Sequence, residues 1–273
     1  GSITLANDFS WNSSRNLTLN ALGDINLNSN ISNTAPSSGG SLLLQTDGNI
    51  SGSGTIGFSS TNSSVSVAGY NGAGYANNVT LNGDGAFKLG AINLAGNLNI
   101  TATGNIAQSG AINIDQNSLS NQITINAGTN AIDLINGSNN FNSGGGGSLT
   151  LTGGAVNLVA GSGDNGALTI NSINTSGSNG NINVTADHGI NYTGAVNAGT
   201  GDVSLASLHG IIIDANGSGQ VTANNLALTA GSSINDTSSY IDLESSNNVF
   251  SNLTATVYGT LSGTPGGNAL IIS

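Results

Sequence analysis

A nine-residue unit recurs along this chain, and its spacing constrains the fold more than any other feature. The unit reads apolar, any, apolar, any, small, two turn residues, one polar residue or Gly, then apolar. It occurs as Leu17-Thr-Leu-Asn-Ala-Leu-Gly-Asp-Ile25, Leu42-Leu-Leu-Gln-Thr-Asp-Gly-Asn-Ile50 and Leu98-Asn-Ile-Thr-Ala-Thr-Gly-Asn-Ile106. It returns as Ile182-Asn-Val-Thr-Ala-Asp-His-Gly-Ile190, Val203-Ser-Leu-Ala-Ser-Leu-His-Gly-Ile211 and Leu226-Ala-Leu-Thr-Ala-Gly-Ser-Ser-Ile234. Ile123-Thr-Ile-Asn-Ala-Gly is a copy with one extra turn residue before Ile132, and Leu149-Thr-Leu-Thr-Gly-Gly is a shorter variant. Apolar residues two apart make a strand with one buried face. The unit is therefore a strand, a corner and a second strand, with positions one, three and nine inward and position five small. The seventh position holds Gly23, Gly48, Gly104, His188, His209 or Ser232. Glycine there predicts a turn with positive φ, which glycine adopts without steric cost, and histidine is expected to fill the same turn.

Neighbouring anchors lie 21 residues apart (182 to 203), 23 (203 to 226) or 25 (17 to 42 and 98 to 123). One such interval fits one turn of a solenoid made of three short strands and three corners. A single coil cannot bury its own apolar face, so each stacks on the next. The prediction is an all-β chain, a right-handed parallel β-helix of roughly a dozen coils and about 60 Å in length. Residues 1–273 form one domain in this reading. Segments 33–41, 70–78 and 136–148 break the rhythm and are expected to protrude as loops.

Composition agrees and removes competing classes. Gly occurs 42 times and only 5% of residues are charged. Helix formers are scarce, which argues against helices. Identical coils place each side chain ~4.8 Å from its counterpart. Like charges repel at that spacing, whereas Asn, Thr and Ser can bond in ladders. There is no Cys, so no disulfide framework. Arg15 and Lys88 are the only basic side chains against 13 acids, which excludes a nucleic-acid footprint and a polybasic membrane patch. No apolar run is long enough to cross a membrane as a helix.

The repeated unit, with its Gly-Asn-Ile or Gly-Asp-Ile closing strand, resembles the large exoproteins of two-partner secretion, the filamentous haemagglutinin-type adhesins and contact-dependent inhibition shafts. Segments 17–31, 42–50, 98–114, 182–190 and 203–213 carry the likeness. The resemblance implies a right-handed β-helix, export by an outer-membrane transporter of the two-partner type, and a secreted or cell-surface location in a diderm bacterium. It implies a host or neighbouring-cell glycan or protein as receptor, with no nucleic acid and no membrane insertion. The family's secretion domain carries Asn-Pro-Asn motifs. Pro36 and Pro265 lie in no such context, so that domain is expected to be absent and the chain to be a piece of a longer repetitive protein.

Candidate chemistry is sparse. Tyr70 and Tyr75 flank a Gly-rich loop and are the candidate contact residues, since aromatic tips stack on sugars and partner proteins. The competing class is a carbohydrate-active β-helix enzyme or a tailspike-like polysaccharide-degrading module. Glycoside hydrolysis needs two carboxylates about 5–10 Å apart, and Asp187, Asp202 and Asp214 are the best placed in sequence. Asp at corners more commonly bonds its own backbone, so neither an enzyme nor a cofactor is expected. Asp84 and Asp164 sit in Gly-rich contexts like those of calcium-binding nonapeptides, but without the tandem array such sites need. His188 and His209 are expected to stack at one corner as turn residues, and no metal is assigned to them. Thr101-Ala-Thr103 does not recur as an ice-binding ladder would. Asn-x-Ser/Thr sequons at Asn16, Asn30, Asn78, Asn99, Asn183, Asn191 and Asn252 are expected by chance in such a composition.

Overall fold

The computed structural model describes residues 1–37, 39–115, 121–141, 147–161, 166–214, 217–231 and 239–258, together with the backbone of the strand Leu270–Ile272. Its 28 strands form one sheet, and every strand pairing is parallel. This is the β-solenoid expected from the repeat. A 3-10 turn occupies Tyr70–Gly72.

Register traces the coils. One stack runs from Ile3 through Ile25, Ile50, Val79, Leu98, Ile123 and Leu149. A bulge follows, and the stack continues through Ile173 and Val196 to Val221, above which Ala223 pairs with Phe250. A second stack climbs from Phe87 through Ile106, Ile132, Val156, Ile182, Val203 and Leu226 to Leu253. The third face contains Leu17, Leu42 and Val65 early in the chain, and Leu168, Ile190, Ile212, Ile241 and Leu270 late. The chain makes about ten turns, fewer than the dozen expected. The expectation took the shortest interval as typical, whereas insertions lengthen many coils. Ile50 to Val79 takes 29 residues, because segment 70–78 loops out, and Val79 to Leu98 takes only 19. Both advance the rod by one strand spacing.

The anchor intervals are the coil register itself: Ile182 pairs with Val203, Val203 with Leu226, Leu17 with Leu42 and Leu98 with Ile123. The same unit nevertheless serves different faces. Leu17 and Leu42 lie on the third stack, Leu98 on the first and Ile182 on the second. All three faces present the same demand, two inward apolar residues followed by a corner, so one local pattern satisfies each.

Burial follows the unit. Leu42, Leu44, Leu98, Ile100, Ile182, Val184, Val203 and Leu205 are fully buried in one continuous core. Each such side chain contributes on the order of 1.5–3 kcal/mol. Position nine is inward at Ile25, Ile50, Ile106 and Ile190, but not at Ile211. There the buried residue is Ile212, which pairs with Ile190. Ile211, Ile212 and Ile213 are consecutive, and the run gives no phase by itself. Ile234 lies outside the described residues.

Candidate functional site

The corners require one correction. Neither Gly23, Gly48 nor Gly104 has positive φ, and neither His188 nor His209 does. Ser232 lies outside the described residues. Glycine is needed at these corners because the neighbouring coil leaves no room for a Cβ. At Gly23 it would lie 2.7 Å from Ser2 Oγ, at Gly48 2.7 Å from Asp24 Oδ1, and at Gly104 2.5 Å from the Gly85 carbonyl carbon. Position five completes the joint. Where it is Thr46 or Ser207, its hydroxyl donates to the carbonyl of the seventh residue one coil below, Gly23 or His188.

The histidines converge on a carboxylate. His209 Nδ1 lies 3.1 Å from Asp187 Oδ1, and His188 Nδ1 lies 3.5 Å from Asp187 Oδ2. The His209 backbone N–H also donates to the Asp187 carbonyl. Both side chains are partly exposed, and only the His209 contact joins two coils; His188 follows Asp187 in the same coil, and among the described residues its Nδ1 has no hydrogen-bond partner. No cluster of three or more His, Cys, Asp or Glu residues suited to a metal occurs among the described residues.

The three aspartates selected from the sequence serve different corners. Ile182 pairs with Val203 and Ala186 with Ser207, so Asp202 and Asp187 stand at opposite ends of the same strand stack. Six residues of strand separate their levels, roughly 20 Å, beyond the span a glycosidase pair uses. Asp202 Oδ1 accepts from the Asn225 N–H and Nδ2 at 3.1 and 2.7 Å. Asp214 is buried and accepts from the Gly219 and Ser245 N–H groups at 2.7 and 2.8 Å, closing one corner and tying it to the next coil. Asp84 accepts from Thr103 Oγ1 at 3.4 Å. Asp164 lies outside the described residues.

Polar ladders connect successive coils at the corners. Asp24 Oδ1 accepts from the Asn49 N–H, Asn49 Oδ1 from Asn78, Asn78 Oδ1 from Asn97, and Asn97 Oδ1 from Gln122. A second ladder links Asn181, Asp202, Asn225 and Asn252. Each side-chain oxygen accepts from a backbone N–H that emerges at the corner, except that of Asn225, which accepts from the Asn252 side-chain amide. Asparagine can accept toward one neighbour and donate toward the other, which suits it to a column where a row of carboxylates would repel.

Asp242 departs from this economy. Burial, reinforced by the nearby Asp214 carboxylate, holds its pKa above the ordinary carboxylate range. Among the described residues its Oδ1 has no hydrogen-bond partner. The folded chain therefore binds this proton more tightly than the unfolded chain, and stability falls as pH rises through the carboxylate range. Asp242→Asn should be more stable than the parent at pH 7, by less than about 1 kcal/mol. The gap should close below pH ~4, which thermal melts across pH would read. Burial and the same two carboxylates also raise the pKa of Tyr192, whose buried ring packs over Gly219.

The predicted contact loop is pinned at one end and open at the other. The Tyr70 N–H donates to Asp47 Oδ1 at 2.8 Å. Asn71, at φ 58°, pairs twice with the Asn20 amide two coils below. Glycines 72 and 74, with φ of 79° and 73°, reverse the chain. Ala76 then pairs with Leu94 and enters the core. Tyr70 is half-buried, and Tyr75 is 40% exposed. A cleft of about 350 Å³ opens beside Tyr75, lined by Gly72, Gly74, Asn93, Asn113, Ile114 and Asn140. The asparagines are register partners on successive coils, and Asn113 Nδ2 donates to Asn93 Oδ1 at 3.0 Å.

Residues 76–144 match the family described as "Repeats of unknown function (DUF5649)". No curated protein and no solved structure gave a match. The matched window contains all three cleft asparagines, and Tyr75 immediately precedes it.

These asparagines were absent from the sequence-based candidates, although a signal for Asn93 and Asn113 exists. Gly-Ala-Ile-Asn occurs at 90–93 and 110–113, and Gly-Ala-Val-Asn at 154–157 and 194–197. In each copy the Gly abuts the preceding coil, the Ile or Val is buried, and the Asn follows it on the outward side.

Proposed function

We propose that the chain is a shaft segment of a large secreted bacterial surface adhesin, a rigid spacer whose flank presents a contact surface for a glycan or protein. Axial stacking carries this reading: one core runs from coil to coil, with corner ladders from Asp24 to Gln122 and from Asn181 to Asn252. Such a stack resists bending because each coil is bonded to both neighbours over all three faces. The likeness of the repeat to two-partner-secretion exoproteins supports export by an outer-membrane transporter of that type and a cell-surface location.

The reading is tested by electron microscopy of the intact molecule and of producing cells, with gold-labelled antibody raised against this chain. Thin filaments labelled along their length outside the cell are expected. Label confined to a compact body, together with depolymerisation of a polysaccharide by the purified protein, would instead establish an enzyme or tailspike-like module.

A further inference from the structure

We infer that the cleft beside Tyr75 is a binding site for an uncharged saccharide chain. Ala76 pairs with Leu94 and Leu94 with Ile114. Tyr75 and Asn93, each one residue earlier, therefore stand at successive levels of one outward column, which Asn113 and Asn140 continue. The column is four coils deep, about 14 Å along the rod. The repeat of an extended pyranose chain is close to the coil rise, so a short oligosaccharide lying along the axis meets one side chain per sugar.

The polar groups point to a ligand rich in hydroxyls. Asn140 is only 8% exposed, and among the described residues its Oδ1 has no hydrogen-bond partner. An acceptor withdrawn from bulk water and left without a donor is unfavourable, and a small shift of the Asn140 side chain into the cleft lets a ligand hydroxyl satisfy it. The Asn113 bond to Asn93 uses one of its two amide hydrogens, and the exposed Tyr75 ring offers a face for the apolar side of a sugar. The left-handed glycines 72 and 74 hold the loop as one wall.

Charge and size select the class. None of the lining residues is charged, and the chain carries a net charge of −11, which disfavours acidic polymers. A volume near 350 Å³ suits a small ligand. The inference stands on the cleft alone: a rod without sugar affinity remains a rod.

The test is titration of the purified chain with neutral hexasaccharides of β-1,4-linked glucose, β-1,4-linked N-acetylglucosamine and α-1,6-linked mannose, with oligogalacturonate as the acidic comparison. Calorimetry and NMR of the side-chain amides are the readouts. At least one neutral sugar should bind and shift the Asn113 and Asn140 amides. Tyr75→Ala should weaken that binding by roughly tenfold, whereas Tyr75→Phe retains it. Asn93→Ser, an outward and conservative change, should also weaken it. Absence of binding by every neutral sugar, equal or tighter binding of oligogalacturonate, or unchanged affinity in Tyr75→Ala would overturn the inference.

Discussion

Ile190→Asp should unfold the coils on either side of it, at a cost on the order of 4 kcal/mol or more. Ile190 is fully buried and sits between Leu168 and Ile212 on the third face. The substitution loses the apolar transfer energy and places a carboxylate where it has no partner of opposite charge. Because each coil contacts only its neighbours, the damage should be local at first. Hydrogen exchange should show the amides of 168–170 and 212–214 losing protection before those of 17–46. Ser204→Asp, on the outward side of a nearby strand, should cost less than about 1 kcal/mol. Equal stability of Ile190→Asp and the parent would show that the inward assignment is wrong.

Gly180→Ala should cost about 3 kcal/mol through steric overlap between coils. A Cβ at Gly180 would collide with the Gly154 carbonyl oxygen of the coil below. That atom is backbone and cannot swing aside, so the coils must separate locally and stretch the hydrogen bond from the Val156 N–H to the Asn181 carbonyl. Gly180 does not have positive φ, so any loss reports packing rather than backbone strain. Gly177→Ala is the control, because a Cβ there meets nothing within 4 Å. Thermal melts that place Gly180→Ala beside Gly177→Ala would refute the close-approach explanation of the corner glycines.

That explanation marks a limit on what was legible in the sequence. The alternation at Leu17, Leu42, Leu98, Ile182, Val203 and Leu226 disclosed strands, inward faces and register together, because in a solenoid the repeat interval is the coil. The reason for glycine at 23, 48 and 104 was not legible. A turn with positive φ and a corner pressed by its neighbour both demand glycine, and only coordinates distinguish them. Position nine slipped at Ile211 because three consecutive isoleucines fit either phase. His188 and His209 were placed on adjoining coils by their spacing, whereas the contact of His209 with Asp187 across the coils depends on side-chain placement. The candidate site was half legible. Tyr75 stood out as an aromatic beside glycines, whereas Asn93, Asn113 and Asn140 were hidden in a chain where asparagine is abundant. Their distinction is a shared outward column, which depends on the register across a loop of irregular length.

Axial distances measured by spin-label pairs test the central claim most directly. Thr4, Asn26, Ser51, Thr80, Asn99, Thr124 and Thr150 form one outward column through successive coils. The chain has no cysteine, so a label at Thr150→Cys can be paired in turn with one at Thr80→Cys, Ser51→Cys, Asn26→Cys or Thr4→Cys. Electron–electron resonance should give backbone separations of about 14, 19, 24 and 29 Å, one strand spacing more at each step. The step across the 70–78 loop should equal the others, although 29 residues separate Ile50 from Val79. Separations that fall out of this order, or that scale with the number of intervening residues, would contradict a rod of stacked coils.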